Sequence, residues 1–298
     1  MAATGCPNSL VRPMPARTQI GRTRVLRLVT RLGHERLLAV ERLRRRNPLV
    51  RALLAPARWW MRRGSVGVFG GLGDGLRLSM AHIPVSHAHA GALPRGLLEV
   101  SVQEAMRRLL GPDDVFYDVG ANVGFFVLAG ARQVGPGGSV YAFEPVPDNV
   151  AAIRESAALN GLANLEVIES AAGRAAGRDR LLLVEDLSWS HLESVGPHPR
   201  TRATVDIEVV AIDDLVASGR IRPPDLVKID VEGAEIDVLE GMRRTIEEHR
   251  PAIVCELHET APQFVEAMDG LGYATSNLEG KQSLLEAPPS VHALATPR

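Results

Sequence analysis

The stretch that decides the fold is DVFYDVGANVGFFVLAGARQVGPGGSVYAFE, residues 114–144. Its start, Val115–Val119, is a short apolar run rich in β-branched and aromatic residues, which is typical of a buried parallel strand. Residues 123–133 carry apolar side chains until VGPGG, so a helix is expected after the glycine-rich corner. Residues 140–143 predict a second strand, which ends in Glu144. The stretch is interpreted as a strand–helix–strand unit that binds a nucleotide.

The spacing of the glycines indicates which ligand this corner accepts. A dinucleotide fingerprint has glycine at positions 1, 3 and 6 of the turn, where the chain approaches a pyrophosphate. Counted from Gly120, those positions hold Gly120, Asn122 and Phe125, so the fingerprint fails at two of three. A nicotinamide-dependent oxidoreductase is therefore disfavoured.

Four residues of the corner are interpreted as cofactor contacts: Asp118, Gly120, Asn122 and Gly124. They predict a turn with room for a ligand that has a ribose but no phosphate. Asp118 is expected to face the ammonium group of an amino-acid tail. Glu144, twenty residues beyond Gly124, is expected to accept hydrogen bonds from ribose hydroxyls. S-adenosylmethionine combines these parts.

Three motifs occur in order along the chain. They are VFYDVGANVGFFVLAGARQVGPGGSVYAFEPVPDN at 115–149, LVKIDVEGAEIDVLEGM at 226–242 and RPAIVCEL at 250–257. In these motifs the chain resembles the FkbM family of S-adenosylmethionine-dependent methyltransferases, which mostly methylate hydroxyl groups. The resemblance implies a class I methyltransferase fold, an α/β Rossmann-like architecture with a seven-stranded, mostly parallel sheet and helices on both faces. It also implies an acceptor hydroxyl on a small molecule or glycan.

The second motif carries a second chemical centre. Lys228, Asp230 and Glu232 alternate along an extended segment and would share one side of its carboxyl end, where α/β sheets have their ligand crevice. The matching family motif supports a catalytic interpretation. The alternative is that the acids only stabilise the start of a helix.

His258 follows the strand predicted from the third motif and points to the same edge of the sheet. An alcohol must lose its proton when it is methylated, and histidine is the natural general base near neutral pH. His258 is therefore the first candidate for the base and Asp230 the second. A histidine that caps a strand end is the alternative. The carboxylates would also suit a divalent ion, but no metal is assigned.

Other site candidates rest on weaker signals. Glu99 is a candidate cofactor contact because FkbM-like sequences have a glycine with a nearby glutamate in this region. Glu169 and Ser170 follow the strand predicted at 165–168, where this fold class usually contacts adenine; a solvated strand-end glutamate is the alternative. Trp189 lies in a long loop and is a candidate acceptor contact. The histidines 82, 87 and 89 indicate metal only weakly.

The charge distribution separates an arm from a body. Residues 1–63 contain fifteen arginines and two acids, whereas the remainder is acidic. Leucines and valines alternate with arginines over 24–46, which predicts a basic amphipathic helix. Such a helix would touch an anionic membrane surface weakly, bind nucleic acid, or dock on the acidic body. Base methylation is disfavoured because no Asn/Asp-Pro-Pro-aromatic motif occurs. A non-catalytic nucleotide-binding module would leave the Asp230 centre unused.

These patterns divide the chain into four parts. They are the arm at 1–63, a small β hairpin with a lead-in helix at 64–110, the methyltransferase domain at 111–287 and an irregular tail at 288–298. Residues 283–286 are predicted to be the last strand. No apolar run is long enough for a membrane span. The two cysteines, Cys6 and Cys255, indicate no disulfide framework, so a cytoplasmic location is expected, with contact at the membrane surface as an option.

Overall fold

The structure is a computed structural model. It describes residues 47–50, 52–53, 64–79, 92–184, 191–193, 196 and 201–298. Most of the basic arm, the histidines 82, 87 and 89, and Trp189 lie outside the described residues, so the predictions made for them stay predictions.

Thirteen strands and seven α-helices make up the described part of the chain. The strands are β1 Ser65–Gly67, β2 Arg77–Ser79, β3 Val115–Val119, β4 Ser139–Phe143, β5 Leu165–Ile168, β6 Ala171–Ala172, β7 Gly177–Val184, β8 His191–Leu192, β9 Thr201–Val210, β10 Leu226–Ile229, β11 Ala252–His258, β12 Tyr273–Asn277 and β13 Ser290–Pro297. The α-helices are α1 Val100–Leu109, α2 Phe125–Val134, α3 Pro147–Asn160, α4 Ile212–Ala217, α5 Glu235–Gly241, α6 Arg243–His249 and α7 Ala261–Gly270.

Seven strands form the central sheet in the order β12-β13-β11-β10-β3-β4-β5. The five strands from β11 to β5 run parallel, and β13 is antiparallel to both of its neighbours. The predicted seven-stranded, mostly parallel sheet is confirmed. Because β3, β10 and β11 are adjacent and parallel, their carboxyl ends open on one crevice.

Helices cover both faces of this sheet, as predicted. On one face α1, α2 and α3 pack with the β1–β2 hairpin; on the other, α4 to α7 pack together. The strands between them are almost fully apolar, because each of their faces meets a helix layer. Burying one large aliphatic or aromatic side chain in such a layer contributes about 1.5–3 kcal/mol. The two layers hold the strand ends in place.

The antiparallel hairpin predicted near residue 70 is confirmed as β1 and β2. It docks on α3, where the Ser79 amide donates to Ser156 Oγ and the Arg77 amide donates to Asn160 Oδ1, both at 2.9 Å. Strands β7 and β9 form a separate four-stranded sheet with β6 and β8. Among the described residues, no helix is long and apolar enough to cross a membrane.

The predicted end of the domain is wrong. Residues 283–286 do not form a strand, since Leu284–Glu286 is a 3-10 helix. The supposed irregular tail contains β13, which lies between β11 and β12. Its core residues Val291, Ala293 and Ala295 are buried. Pro288 and Pro289 precede this strand and Pro297 is its last residue, and a missing amide donor is tolerated at such ends.

Candidate active site

The glycine corner between β3 and α2 brings the two predicted chemical centres together. Gly120 has φ 83°, and a side chain there would place its Cβ only 1.8 Å from the carbonyl oxygen of Asp230. Gly124 has φ 85°, and its Cβ would lie 2.7 Å from Ile153. Only glycine allows this contact with the end of β10. The corner therefore lies directly against the chain that carries Asp230.

Glu144, at the end of β4, accepts a hydrogen bond from the glycine corner. Its carboxylate accepts hydrogen bonds from the amides of Asn122 at 2.7 Å and Val146 at 2.9 Å, and from Asn149 Nδ2 at 3.2 Å. Burial raises the pKa of Glu144 to about 7, against the lowering effect of these donors. The residue does not line the crevice described below, so its predicted contact with ribose stays a prediction.

Asp118 is a buried carboxylate whose oxygens lack partners. It is 1% exposed, and neither oxygen has a hydrogen-bond partner among the described residues. Burial raises the pKa of Asp118 to about 7, although the nearby Lys228 ammonium acts to lower it. An uncompensated buried acid is costly. A cationic ligand group beside it would remove that cost, so Asp118 fits the ammonium group of S-adenosylmethionine.

One cavity at the carboxyl ends of β3, β10 and β11 collects most of the predicted site. The predicted residues that line it are Glu99, Asp118, Gly120, Asn122, Gly124, Lys228, Asp230 and Glu232. The unpartnered Asp118 carboxylate on this lining suits the ammonium group of S-adenosylmethionine. The same wall continues to Asp230 and Glu232, so cofactor and acceptor candidates share one space.

Two predicted adenine contacts lie elsewhere. Glu169 is half-exposed and pairs with Arg154 at 2.6 Å. Ser170 is buried next to β6 and its amide donates to the Ile168 carbonyl. Neither residue lines the cavity, and their contact with the cofactor stays a prediction.

Lys228 is the buried cation of the site. It is 2% exposed, and its ammonium donates to Asp230 Oδ2 at 2.9 Å and lies 3.8 Å from Glu99 Oε2. The ammonium also stands 4.9 Å from the centre of the Phe126 ring. Burial acts to lower the pKa of Lys228, but the carboxylates around it raise the pKa above its usual value. Lys228 therefore stays charged and neutralises part of the acidic wall.

His258 lies behind that wall, where several carboxylates surround it. Its Nδ1 is 2.8 Å from Glu235 Oε1, and its Nε2 is 3.3 Å from Glu232 Oε2 and 3.6 Å from Glu256 Oε1. Burial acts to lower the pKa of His258, but the hydrogen bond to Glu235 and the neighbouring negative charges raise it to about 9. In the ligand-free protein His258 is therefore an imidazolium at neutral pH.

Glu232 is the group of this centre that titrates near neutral pH. Burial raises its pKa to about 7, His258 acts to lower it, and the nearby carboxylates, Asp230 first, raise it further. Its backbone φ is 51°, the left-handed region that non-glycine residues rarely adopt. Such backbone strain is concentrated at functional sites.

Sequence reasoning missed the roles of Glu235, Glu256 and His292. Glu235 is fully buried and joins Gly233, His258 and Thr260 through its two oxygens. Glu256 lies between the two histidines, and its oxygens are 3.6 Å from His258 Nε2 and 3.5 Å from His292 Nε2. Strand β13 carries His292 to this point, and its sequence SVHALATP has no clear alternating pattern that would have predicted it.

The described residues include two groups of three with the spacing of a metal site. Glu99, Glu256 and His292 form one group, and Asp230, Glu256 and His258 form the other; in each the donor atoms lie within 4.8 Å of one another. In the second group the Lys228 ammonium already donates to Asp230 Oδ2.

Comparison with known proteins decides the family. The family model described as "Methyltransferase FkbM domain" matches residues 118–278, a little over half of the chain. The chain belongs to the FkbM methyltransferase family. The predicted family, the enzyme class and S-adenosylmethionine as cofactor are thereby confirmed, and the matched region contains the corner and the Asp230 centre.

Three curated FkbM relatives cover different shares of the chain. The 31-O-demethyl-FK506 methyltransferase FkbM of Streptomyces tacrolimicus is 29% identical over 72% of this chain and 93% of its own length. The hexuronic acid methyltransferase AglP of Haloferax volcanii is 32% identical over 52% of this chain and 62% of its own length. The 2-O-methyltransferase NoeI of Sinorhizobium fredii is 28% identical over 60% of this chain and 77% of its own length.

Among solved structures, the methyltransferase FkbM of Methylobacillus flagellatus is similar with a TM-score of 0.42 and 18% identity. The match covers 83% of this chain and 60% of that chain. The fold assignment for this chain rests on its own sheet order and on the position of the cavity at the strand ends.

Proposed function

We propose that this protein transfers the methyl group of S-adenosylmethionine to a hydroxyl group of a small molecule or glycan. The observation that carries the proposal is the shared cavity, in which the unpartnered Asp118 carboxylate and the Asp230–Glu232 segment line one space. The relatives support an oxygen acceptor, since two of their names specify O-methylation and a third specifies a hexuronic acid substrate.

The cofactor end of the cavity requires three properties of the chain. Asp118 supplies the negative charge for the ammonium group, and Gly120 and Gly124 let the corner pack directly against Asp230 and Ile153. Glu144 fixes the corner by accepting from the Asn122 amide. When bound, S-adenosylmethionine supplies an electrophilic methyl group on a sulfonium, which an acceptor oxygen attacks in line. The protein chiefly has to align the acceptor and exclude water.

The acceptor end has to remove a proton from the hydroxyl group. His258 holds a proton already, and Asp230 accepts a hydrogen bond from the Lys228 ammonium. Glu232 lines the cavity and has a pKa of about 7, which suits a base at neutral pH. We therefore assign proton removal to Glu232. Asp230 and Lys228 shape the wall, and the His258 imidazolium stabilises the ionised Glu232 at 3.3 Å.

The test begins with binding. Calorimetric titration of the purified protein with S-adenosylmethionine should show one saturable site, and titration with NAD should show none. Asp118→Asn should weaken the first titration, whereas Asp269→Asn, which changes an exposed aspartate on α7, should leave it unchanged.

Activity is then tested with a panel of hydroxylated sugars, uronic acids and macrocyclic alcohols, with transfer of the labelled methyl group as the readout. Transfer to a hydroxyl that stops with Glu232→Gln supports the assignment. The proposal is refuted if the protein methylates nitrogen or nucleic acid and methylates none of the hydroxylated compounds in the panel.

A further inference from the structure

His292 reaches the cavity wall from β13. Its Nδ1 lies 2.5 Å from Glu279 Oε1, and its Nε2 lies 3.3 Å from Glu99 Oε2 and 3.5 Å from Glu256 Oε2. Three elements far apart in sequence thus bring two carboxylate oxygens and one ring nitrogen to a single point. Glu99 and Glu256 also line the cavity.

Two of these three atoms are buried and lack a well-aligned hydrogen bond. The Nε2 atom of His292 and the Oε2 atom of Glu99 are unsatisfied by hydrogen-bond geometry among the described residues and face each other as an ion pair at 3.3 Å, and His292 is only 7% exposed. Buried polar atoms in folded proteins normally have well-formed partners, and each exception requires a reason such as a bound ion. A cation bound between the ring nitrogen and the two carboxylates would give all three a closer partner than these ion pairs do.

Two of the three donor spacings fit a tetrahedral metal ion, and all three donors lie within 4.8 Å of one another. Donors about 2.1 Å from a tetrahedral ion lie about 3.4 Å from one another. The His292 nitrogen lies 3.3 Å and 3.5 Å from the two carboxylate oxygens. The contact between Nδ1 and Glu279 has a matching role, because metal-binding histidines usually donate their second ring N–H to a carboxylate.

We propose that Glu99, Glu256 and His292 bind one divalent transition-metal cation at the wall of the cavity. One imidazole and two carboxylates suit Mn²⁺ or Zn²⁺ better than Ca²⁺, which takes oxygen ligands, or Cu⁺, which prefers sulfur ligands. Lys228, 3.8 Å from Glu99 Oε2, opposes the cation, but its ammonium is already bonded to Asp230.

The site lies beside the acceptor end of the same cavity. A cation held by Glu99 and Glu256 would have a coordination position left for an oxygen of the acceptor, and this role rests on the proposed methyl transfer to a hydroxyl. Metal binding itself does not rest on it. The two are therefore tested separately.

The experiment measures metal binding by the full chain in the absence of S-adenosylmethionine and of any acceptor. The protein is stripped with a chelator and then titrated with Mn²⁺, followed by electron paramagnetic resonance, and with Zn²⁺, followed by calorimetry. One site per chain is expected for each metal. His292→Gln and Glu99→Gln should each weaken binding more than tenfold, and His249→Gln, which changes a histidine next to Glu248 on α6, should leave it unchanged.

A further variant covers the case in which the changes at His292 or Glu99 impair folding. Glu279→Gln alters only the carboxylate behind the ring, and loss of such a partner weakens metal binding by about 10–100-fold. The proposal is overturned if the wild type binds neither metal, or if none of the folded variants at these three positions changes the affinity. S-adenosylmethionine binding in the same preparation reports on the proposed function independently.

Discussion

Asp118 and Lys228 are register partners on the adjacent parallel strands β3 and β10, yet they do not form a hydrogen bond. The Lys228 ammonium donates to Asp230 Oδ2 instead, at 2.9 Å. The cation nearest to Asp118 is thereby committed to the acceptor end of the cavity. Asp118 is thereby left for a ligand, and two acids at one edge of the sheet have different partners.

The first prediction concerns cofactor affinity. Asp118→Asn keeps the shape of the side chain but removes the charge that is expected to face the cofactor's ammonium group. Loss of one partner of a buried charge pair costs about 2–5 kcal/mol of binding free energy. Calorimetry should therefore show at least a thirtyfold weaker S-adenosylmethionine affinity, with folding unchanged by circular dichroism. Unchanged affinity would remove Asp118 from the cofactor site.

The second prediction is a pH dependence of stability in the ligand-free protein. The pKa of Asp118 is about 7 in the folded protein, because burial raises it while Lys228 lowers it and Asp230 and Glu99 raise it. Since the folded state binds the proton more tightly than the unfolded state, the free energy of unfolding should fall as pH rises from about 4 to about 7.

Chemical denaturation at pH values across this window provides the measurement. Asp118→Asn should show a shallower fall than the wild type. A residual fall is expected because the folded pKa values of Glu144 and Glu232 are also about 7. A variant whose stability falls as steeply as that of the wild type would show that Asp118 does not titrate in this range.

The third prediction tests the buried cation. Lys228→Met leaves Asp230 and Glu99 without their counter-charge, and breaking a buried ion pair on one side costs about 3–5 kcal/mol. Lys281→Met changes the only other lysine of the chain, which is exposed, and should cost within about 0.5 kcal/mol. Urea denaturation gives both numbers. Equal costs for the two variants would contradict the assigned role of Lys228.

The sequence was informative where the chemistry is local. The glycine corner and the Lys228–Asp230–Glu232 alternation lie within short stretches, so residue type and spacing predicted their shared edge of the sheet, and the cavity brings them together. The protonation of His258 was not predictable in the same way. Its pKa depends on Glu235, Glu232 and Glu256, which come from two segments that meet only in the folded chain.

Strand β13 was likewise not predictable from its own residues. Residues 288–298 look irregular by themselves, because two adjacent prolines precede the strand and its apolar residues are mostly small. Burial between β11 and β12 stabilises β13, and neither partner is visible from the segment alone. The error at this strand also concealed His292, because a histidine in a tail has no fixed neighbours.

The fourth prediction follows from the position of β13. Removal of residues 289–298 takes out a strand that pairs with β11 over six positions and with β12 over five. The truncated chain should lose cooperative unfolding and cofactor binding together. Removal of Arg298 alone breaks an exposed ion pair with Asp269 and one backbone hydrogen bond to the Gly272 carbonyl, which together are worth about 2 kcal/mol or less. A cooperatively folded truncated chain would contradict the assigned role of β13.

The fifth prediction concerns the proton-transfer step. Glu232 has a pKa of about 7 and faces the His258 imidazolium, with Asp230, Glu256 and Glu235 as the nearby acids. If Glu232 accepts the hydroxyl proton, it must be ionised, so kcat of the wild type should rise with pH through about 7 and then level off. General base catalysis contributes about 10²–10⁴ in rate.

Glu232→Gln should therefore lower kcat by about that factor and abolish the rising limb, while S-adenosylmethionine affinity stays within about threefold of the wild-type value, because the side chain acts on the acceptor. Glu240→Gln, which changes an exposed glutamate on α5 paired with Arg174, is the matched control and should keep the wild-type profile. If kcat of Glu232→Gln still rises with pH through about 7, another group is the base. Loss of the limb with kcat unchanged would mean that Glu232 controls acceptor binding and not proton removal.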